Sequence, residues 1–463
     1  MVVHPHGGAS RRPGTEFIGQ IKSSSVKGRL VPFQFKTTDT YVLEFGDSIM
    51  RVIRNGFYVL DTAKNITAAT QASPGVLTSN GHGFSNGDEI FISSVAGMTE
   101  LNGRNYLVTG KTTNTFKLTD LFGVSIDTSS FSAYSSGGTA EEIFEVASPY
   151  PESALPNLRF VQSADTMYLV HPSYAPRKLT RTGHTSWTFT EITFTDGPYL
   201  DTNTTATTLN PGATSGTGVA LVASADTFAA TDVGRLVSLH SGNATITAFT
   251  DAQNVAVTIN ATLSASTATD AWALGAFSDT TGYPSTVTFF EQRLIFAATT
   301  EEPQSIFFSK SGDYENFTAG TNDDDAIIYQ IASNQVNSIR YLSATRVLTI
   351  GTSGGEYVLT TTNDGPVTPT NAQIRKYSNY GSASLEPVQV ADVTLFLQRA
   401  KRKLREFRYA GEVNTSGYAA ADMTILAEHI TQGTMLDMTY QQEPDSIVWM
   451  VRGDGVLIGM TYR

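Results

Sequence analysis

Cysteine is absent from all 463 residues. That excludes a disulfide scaffold, a thiol nucleophile and a zinc–thiolate site. It suits a chain that folds in a reducing cytosol and works later outside a cell. An excess of positive charge is lacking too: 31 Lys and Arg stand against 43 Asp and Glu, a net charge of −12. Proteins that grip nucleic acid carry a basic surface or stripe, and the one sharp basic feature here is the run from Arg399 to Arg408. An acidic balance keeps a chain soluble. It also lets DNA slide past without sticking, because like charge repels the phosphates. No apolar run approaches the ~20 residues of a membrane span. The opening Met1-Val2-Val3-His4-Pro5-His6 has no secretory core, so export by the standard route is not expected.

Catalytic motifs are missing as well. The histidines are His4, His6, His82, His171, His184, His240 and His429. His4 and His6 read as part of a solvated terminus, and His82 as part of a Gly-rich hairpin turn. There is no His-Glu-x-x-His motif and no phosphate-binding loop with its lysine. Gly351-Thr352-Ser353-Gly354-Gly355 reads as a turn between strands rather than a nucleophile elbow. The run Asp323-Asp324-Asp325 lacks the spacing of a calcium loop and reads as a solvated turn. The expectation is a non-enzymatic protein with no catalytic, cofactor-binding or metal-binding residues.

What the chain does have is Thr, Val, Tyr and Phe in quantity, and 39 Gly for turns. Long helical periodicity is scarce, and short alternating runs between Gly, Asn, Asp and Pro predict strands nearly everywhere. Six segments share one design of three strands with an apolar strand in the middle. They span Arg29 to Gly56, Leu158 to Thr190, Ser285 to Gly312, Ser338 to Leu359, Val388 to Gly411 and Met438 to Arg463. The last four apolar strands begin about 50 residues apart, a spacing that marks a β-propeller blade. A blade cannot bury both faces alone, so it stacks on its neighbours around an axis.

The first two gaps are too long by about 80 residues each, as if domains had been inserted. Each surplus holds a hairpin signature: Tyr106-Leu107-Val108-Thr109 with Thr115-Phe116-Lys117-Leu118, and Ala244-Thr245-Ile246-Thr247 with Val255-Ala256-Val257-Thr258. The expected fold is all-β: a propeller-like body of about 50-residue blades carrying two small inserted β-barrels. The expected organisation is 1–65 for an N-terminal arm and first segment, 66–140 for the first insertion, 141–200 for a further segment, 201–276 for the second insertion, and 277–463 for the remaining segments.

Several strings resemble the tail tubular or nozzle proteins of short-tailed bacteriophages, also called phage stabilisation proteins. They are His4-Pro5-His6-Gly7-Gly8, Arg11-Arg12-Pro13-Gly14-Thr15, Tyr41-Val42-Leu43-Glu44-Phe45-Gly46, Val161-Gln162-Ser163-Ala164-Asp165, Pro176-Arg177-Lys178-Leu179, Gly312-Asp313-Tyr314-Glu315-Asn316-Phe317, Gly351-Thr352-Ser353-Gly354-Gly355-Glu356 and Gln441-Gln442-Glu443-Pro444-Asp445-Ser446. Their order covers essentially the whole chain. The resemblance implies a hexameric ring in the virion tail, assembled in the host bacterial cytoplasm below adaptor and portal. It also allows tail fibres as partners, and DNA passage without sequence-specific binding. Family members are longer at both ends, so this chain is expected to start late and stop early. The strings Gly81-His82-Gly83-Phe84-Ser85-Asn86-Gly87-Asp88 and Gly97-Met98-Thr99-Glu100-Leu101-Asn102-Gly103 resemble the FCCH module of ubiquitin-activating enzymes. Without a cysteine, no thioester chemistry comes with it.

Within the basic run, Arg399, Lys401, Arg402, Lys403 and Arg405 are the candidate interaction residues, with Leu404 and Phe407 pointing into the blade. Docking to an acidic ring, or contact with DNA, competes with simple protection of a sheet edge by charge. The alternative function is a carbohydrate-binding adhesin or depolymerase. It would need aromatic platforms on the insertions, which hold few aromatics that look exposed: mainly Tyr106, Tyr134 and Trp272, of which Trp272 reads as core.

Overall fold

A computed structural model of the chain describes residues 2–3, 7–12, 14–333, 337–362, 365–411 and 417–462. His4 and His6 lie outside the described residues. Among those described, the only helical elements are three short 3-10 turns, Thr99–Leu101, Glu152–Asn157 and Ala230–Asp232. No helix is long and apolar enough to cross a membrane. Everything else with regular structure is strand, so the fold is all-β.

Six antiparallel sheets follow one another along the chain. The first holds Arg29–Lys36, Asp39–Phe45 and Ile49–Arg54, and takes its outer strand Glu145–Ala147 from beyond an insertion. The second runs Arg159–Ser163, Thr166–His171, Tyr174–Gly183, Ser186–Glu191. The third runs Thr286–Phe290, Arg293–Ala297, Ser305–Phe308, Ile327–Gln330. The fourth is Ile339–Ala344, Leu348–Thr352, Gly355–Thr361, Ala372–Ser378, and the fifth Val388–Val390, Val393–Leu397, Leu404–Gly411, Gly417–Asp422. The sixth has three strands, Met435–Gln441, Ile447–Arg452 and Leu457–Thr461. The expected three strands per segment are therefore four in the second to fifth sheets. The additional outer strands, such as Ile327–Gln330, bury few of their residues and carry little alternation to read.

The second strand of each sheet explains the stacking. In a strand, neighbouring side chains point to opposite faces. Met167 and Leu169 join the first sheet in one core, while Tyr168 and Val170 join the third sheet in another. Leu294 and Phe296 face back to the second sheet, and Ile295 and Ala297 face forward to the fourth. Phe396 packs toward the fourth sheet, and Leu395 and Leu397 pack toward the sixth. Such strands are buried on both faces, so they read as unbroken apolar runs. Each fully buried Phe or Leu contributes roughly 1.5–3 kcal/mol.

A recurring hydrogen bond joins each sheet to the next. The turn after the second strand meets the chain entering the following sheet: Ser48 N–H donates to Tyr150 O at 3.1 Å, and Tyr283 N–H to Pro172 O at 3.1 Å. Ile339 N–H donates to Pro303 O at 2.9 Å, Ser382 N–H to Thr352 O at 2.8 Å, and Met435 N–H to Lys401 O at 2.9 Å. The same joint thus occurs five times, at one end of the sheets.

The two insertions are curled sheets, and each strand path stays open, so each is a half-barrel rather than the closed barrel expected. The first has seven strands between Lys64 and Glu142; the second has six between Leu209 and Leu274. The first is anchored by the fully buried Arg51, which donates to Glu89 at 2.8 Å and to Glu145 at 2.7 Å. Removing one side of a buried ionic network costs about 3–5 kcal/mol. The second is tied to the body by Asn243, which donates to Asp196 at 3.0 Å, and by Asp232, which accepts from Thr280 at 2.7 Å and is paired inside the insertion with Arg235 at 2.8 Å. Alternate connections of an antiparallel meander lie at opposite ends. The first half-barrel leaves between the third and fourth strands of the first sheet; the second leaves between the second and third sheets. They project from opposite ends.

Candidate interaction surface

The basic run forms the turn between the second and third strands of the fifth sheet. Its backbone is fixed from both sides. Lys401, at φ 57°, donates its N–H to Gln398 O at 2.7 Å and accepts from Met435. Arg399 N–H donates to Gly381 O at 2.9 Å.

Its side chains divide in two. Arg405 is buried: it donates to Gln398 Oε1 at 2.9 Å and to Ala420 O at 2.7 Å, and lies over the Tyr380 ring at 3.4 Å. Lys403 bridges Asp422 and Glu428, each at 2.9 Å, and hydrogen bonds from Lys403 to these carboxylates hold its ammonium pKa above the ordinary value. These two cations serve the fold. Arg399 and Arg402 are exposed and Lys401 is half-buried. Among the described residues, neither Arg399 nor Arg402 forms an ion pair. Leu404 and Phe407 are both buried, but on opposite faces: Leu404 packs toward the sixth sheet and Phe407 toward the fourth.

Sequence reasoning missed the neighbour of this turn. The connection from Asp422 to Met435 carries Met423, Ile425, Leu426 and Ile430, all exposed, with Leu426 at 92%. By composition, Met423-Thr424-Ile425-Leu426-Ala427 reads as another buried strand, and only its place outside every sheet reveals otherwise. A cavity of ≈ 260 Å³ separates it from the basic turn, lined by Arg402 and Lys403 on one side and Glu428 and Thr431 on the other. Exposed apolar side chains continue onto the sixth sheet at Leu436, Val451, Val456 and Leu457. Contiguous patches of this kind mark contact surfaces.

Other residues singled out from sequence have internal roles. His82 is buried against Phe84 and Phe116, and its Nδ1 accepts from Phe84 N–H at 3.0 Å. The Asp323–Asp325 run wraps the Arg293 guanidinium, which donates to the carbonyls of Asp323 and Asp325 at 2.6 Å each. Tyr106 is buried, and Tyr134 donates to Ile66 O and Gly137 O at 3.0 Å. Trp272 donates to Thr207 O at 2.9 Å. Tyr134 and Trp272 are half-buried.

Fold and surface together describe an all-β protein of stacked sheets whose distinctive feature is an exposed contact patch. Residues 73–143, most of the first half-barrel, match the ubiquitin-activating enzyme E1 FCCH domain family. No curated protein matches the chain. Among solved structures, the computationally designed Ika8 protein is similar at 10% identity and a TM-score of 0.31, over 94% of this chain and 98% of that one. BBS1N in complex with ARL6DN is similar at 12% identity and a TM-score of 0.29, over 87% and 97%. Likenesses this shallow carry no argument about fold or function.

Proposed function

We propose that the chain is a structural part of a short phage tail, a nozzle or tubular subunit that forms a ring for genome ejection. Its body is a six-bladed β-propeller made of the six stacked sheets. The observation that carries the propeller is the joint repeated five times, together with contacts that bring the last sheet back to the first. Arg29 on the first sheet lies 3.8 Å from Asp437 on the sixth, and Arg12, in the arm that precedes the first sheet, stacks over Trp449 on the sixth at 5.0 Å. Interlocked sheets of this kind make a stiff wall, because packed cores resist deformation.

The centre of each propeller is filled. Arg159 reaches from the second sheet to Ser384 O at 3.0 Å and to Glu386 at 3.4 Å, ahead of the fifth sheet. Arg29 donates to Leu155 O at 2.9 Å beside them. DNA therefore passes between subunits, through the lumen of the ring, where a net charge of −12 per chain keeps it from adhering. The resemblance of ordered strings along the whole chain supports a place for the ring in a tail, with adaptor proteins as further partners. The test is mass measurement of the purified chain over a range of concentrations, alone and with its adaptor. A closed assembly of fixed stoichiometry is expected. A permanent monomer that binds or cleaves host polysaccharide would replace this reading with an adhesin or depolymerase.

A further inference from the structure

The ring-forming reading leaves open which surfaces meet, and the charge distribution supplies an answer that rests on that reading. Residues 399–408 hold six cationic side chains against one glutamate, a net +5 in a chain of −12; Lys403, Arg405 and Arg408 are spent on partners within the fold, which leaves Arg399, Lys401 and Arg402 for an outside partner. Residues 201–276, which contain the second half-barrel, hold five aspartates and one arginine, a net −4 with His240 neutral. Asp232 is spent on Arg235. The other four, Asp201, Asp226, Asp251 and Asp270, are exposed.

Asp226 and Asp251 stand together, bridged by Gln253, which donates to Asp226 Oδ1 at 2.8 Å and to Asp251 Oδ1 at 2.9 Å. They lie at the far end of the strand Gly242–Asp251 from Asn243, which bonds Asp196 in the body at 3.0 Å. The acidic pair is therefore carried at the opposite end of that strand from its contact with Asp196. An exposed Val222 pairs with Asn254, just beyond the acidic pair's hairpin.

We infer that copies of this chain associate head to tail. The Arg399–Arg402 turn and the Met423–Ile430 connection of one copy seat on the Asp226–Asp251 tip of the next. Both surfaces lie at the same end of the sheets, since the basic turn and the second half-barrel both occupy the end marked by the recurring joint. They stand on opposite flanks of a six-blade body: one beside the fifth and sixth sheets, the other between the second and third. Two different patches so placed give a heterologous contact that a rotation can close into a ring. The apolar side chains supply the buried centre of the contact, and the charges set its orientation and register.

The test is a charge swap in the full chain, read by mass photometry and sedimentation. Arg399→Glu with Arg402→Glu is expected to raise the concentration for half-assembly by about tenfold or more. Asp226→Arg with Asp251→Arg should do the same, and the four changes together should bring it back toward the native value. Leu426→Asp in the same connection should also abolish assembly, while circular dichroism stays native for every variant. A ring that persists unchanged in R399E/R402E overturns this surface and leaves the ring reading intact. A native chain that stays monomeric at the highest concentration overturns both. Binding of that monomer to anionic phospholipid vesicles, lost in L426D, would give the patch to a lipid surface instead.

Discussion

Arg159 Nε lies 3.4 Å from Glu386 Oε2, although one residue stands on the second sheet and the other on the connection into the fifth. The pair links the second sheet to a segment more than two hundred residues further along the chain. Arg159 is 3% exposed. Burial works to lower its pKa, and Glu386 opposes that effect.

Removing a buried partner leaves the other charge uncompensated. Arg159→Met is expected to cost about 2–4 kcal/mol in urea unfolding. The more open Lys178–Glu315 pair, at 2.6 Å, is the control. Lys178→Met should cost under about 1 kcal/mol. Equal losses for the two variants would show that the cross-body contact adds nothing.

His171 sits near the same arginine. It is buried; its Nδ1 accepts from Ser173 N–H at 3.0 Å, and its ring meets Tyr174 edge-on at 5.0 Å. Burial first, and repulsion from Arg159 second, push its pKa down from 6.5 to about 4. The unfolded chain therefore takes up this proton before the folded one as the pH falls. The stabilisation is complete above 6.5 and is lost progressively as the pH falls to about 4, by which point the loss is on the order of 3 kcal/mol. His171→Gln should flatten that part of the stability profile. An unchanged slope in the variant would assign the acid sensitivity to other groups.

Leu404 and Phe407 offer a test of two-sided stacking. Leu404 belongs to the core shared with the sixth sheet, and Phe407 to the core shared with the fourth. Leu404→Ala and Phe407→Ala should each cost about 2–5 kcal/mol. Because they empty different cores, the double variant should lose the sum to within about 0.5 kcal/mol. A coupling well above that would mean the two side chains share one core.

The turn between the first two strands of the third sheet is a place to gain stability. Glu291 and Gln292 have φ of 46° and 61°, a left-handed conformation that L-residues adopt at a cost. A two-residue hairpin elsewhere, between the third strand of the first sheet and Phe57–Tyr58, uses Asn55-Gly56 with φ of 54° and 78°, the residue pair such a turn favours. Gln292→Gly should stabilise by about 0.5–1 kcal/mol in thermal or urea unfolding. A loss instead would point to a packing role for the Gln292 side chain.

Much of the fold was legible in the sequence, because doubly buried strands such as Val393-Thr394-Leu395-Phe396-Leu397 leave an unbroken apolar run at regular spacing. The outer strands were not. Ala372–Ser378, for example, has no fully buried residue and no alternation to follow. The first sheet hid its outer strand Glu145–Ala147 behind an insertion of some eighty residues, so no local pattern linked the two. In the candidate surface, the basic run stood out by composition. Which of its charges are free did not, since that depends on Tyr380, Asp422 and Glu428 arriving from other strands and connections. The apolar connection Met423–Ile430 was invisible for the same reason: exposure is a property of the folded chain.

Single-particle electron microscopy of the assembled full-length chain tests the central claim most directly. The account predicts closed rings in which every subunit is a disc of six radial sheets, with one half-barrel lobe at each end and no open channel through the disc. Subunits whose sheets fall into separate bodies without a common axis would contradict it.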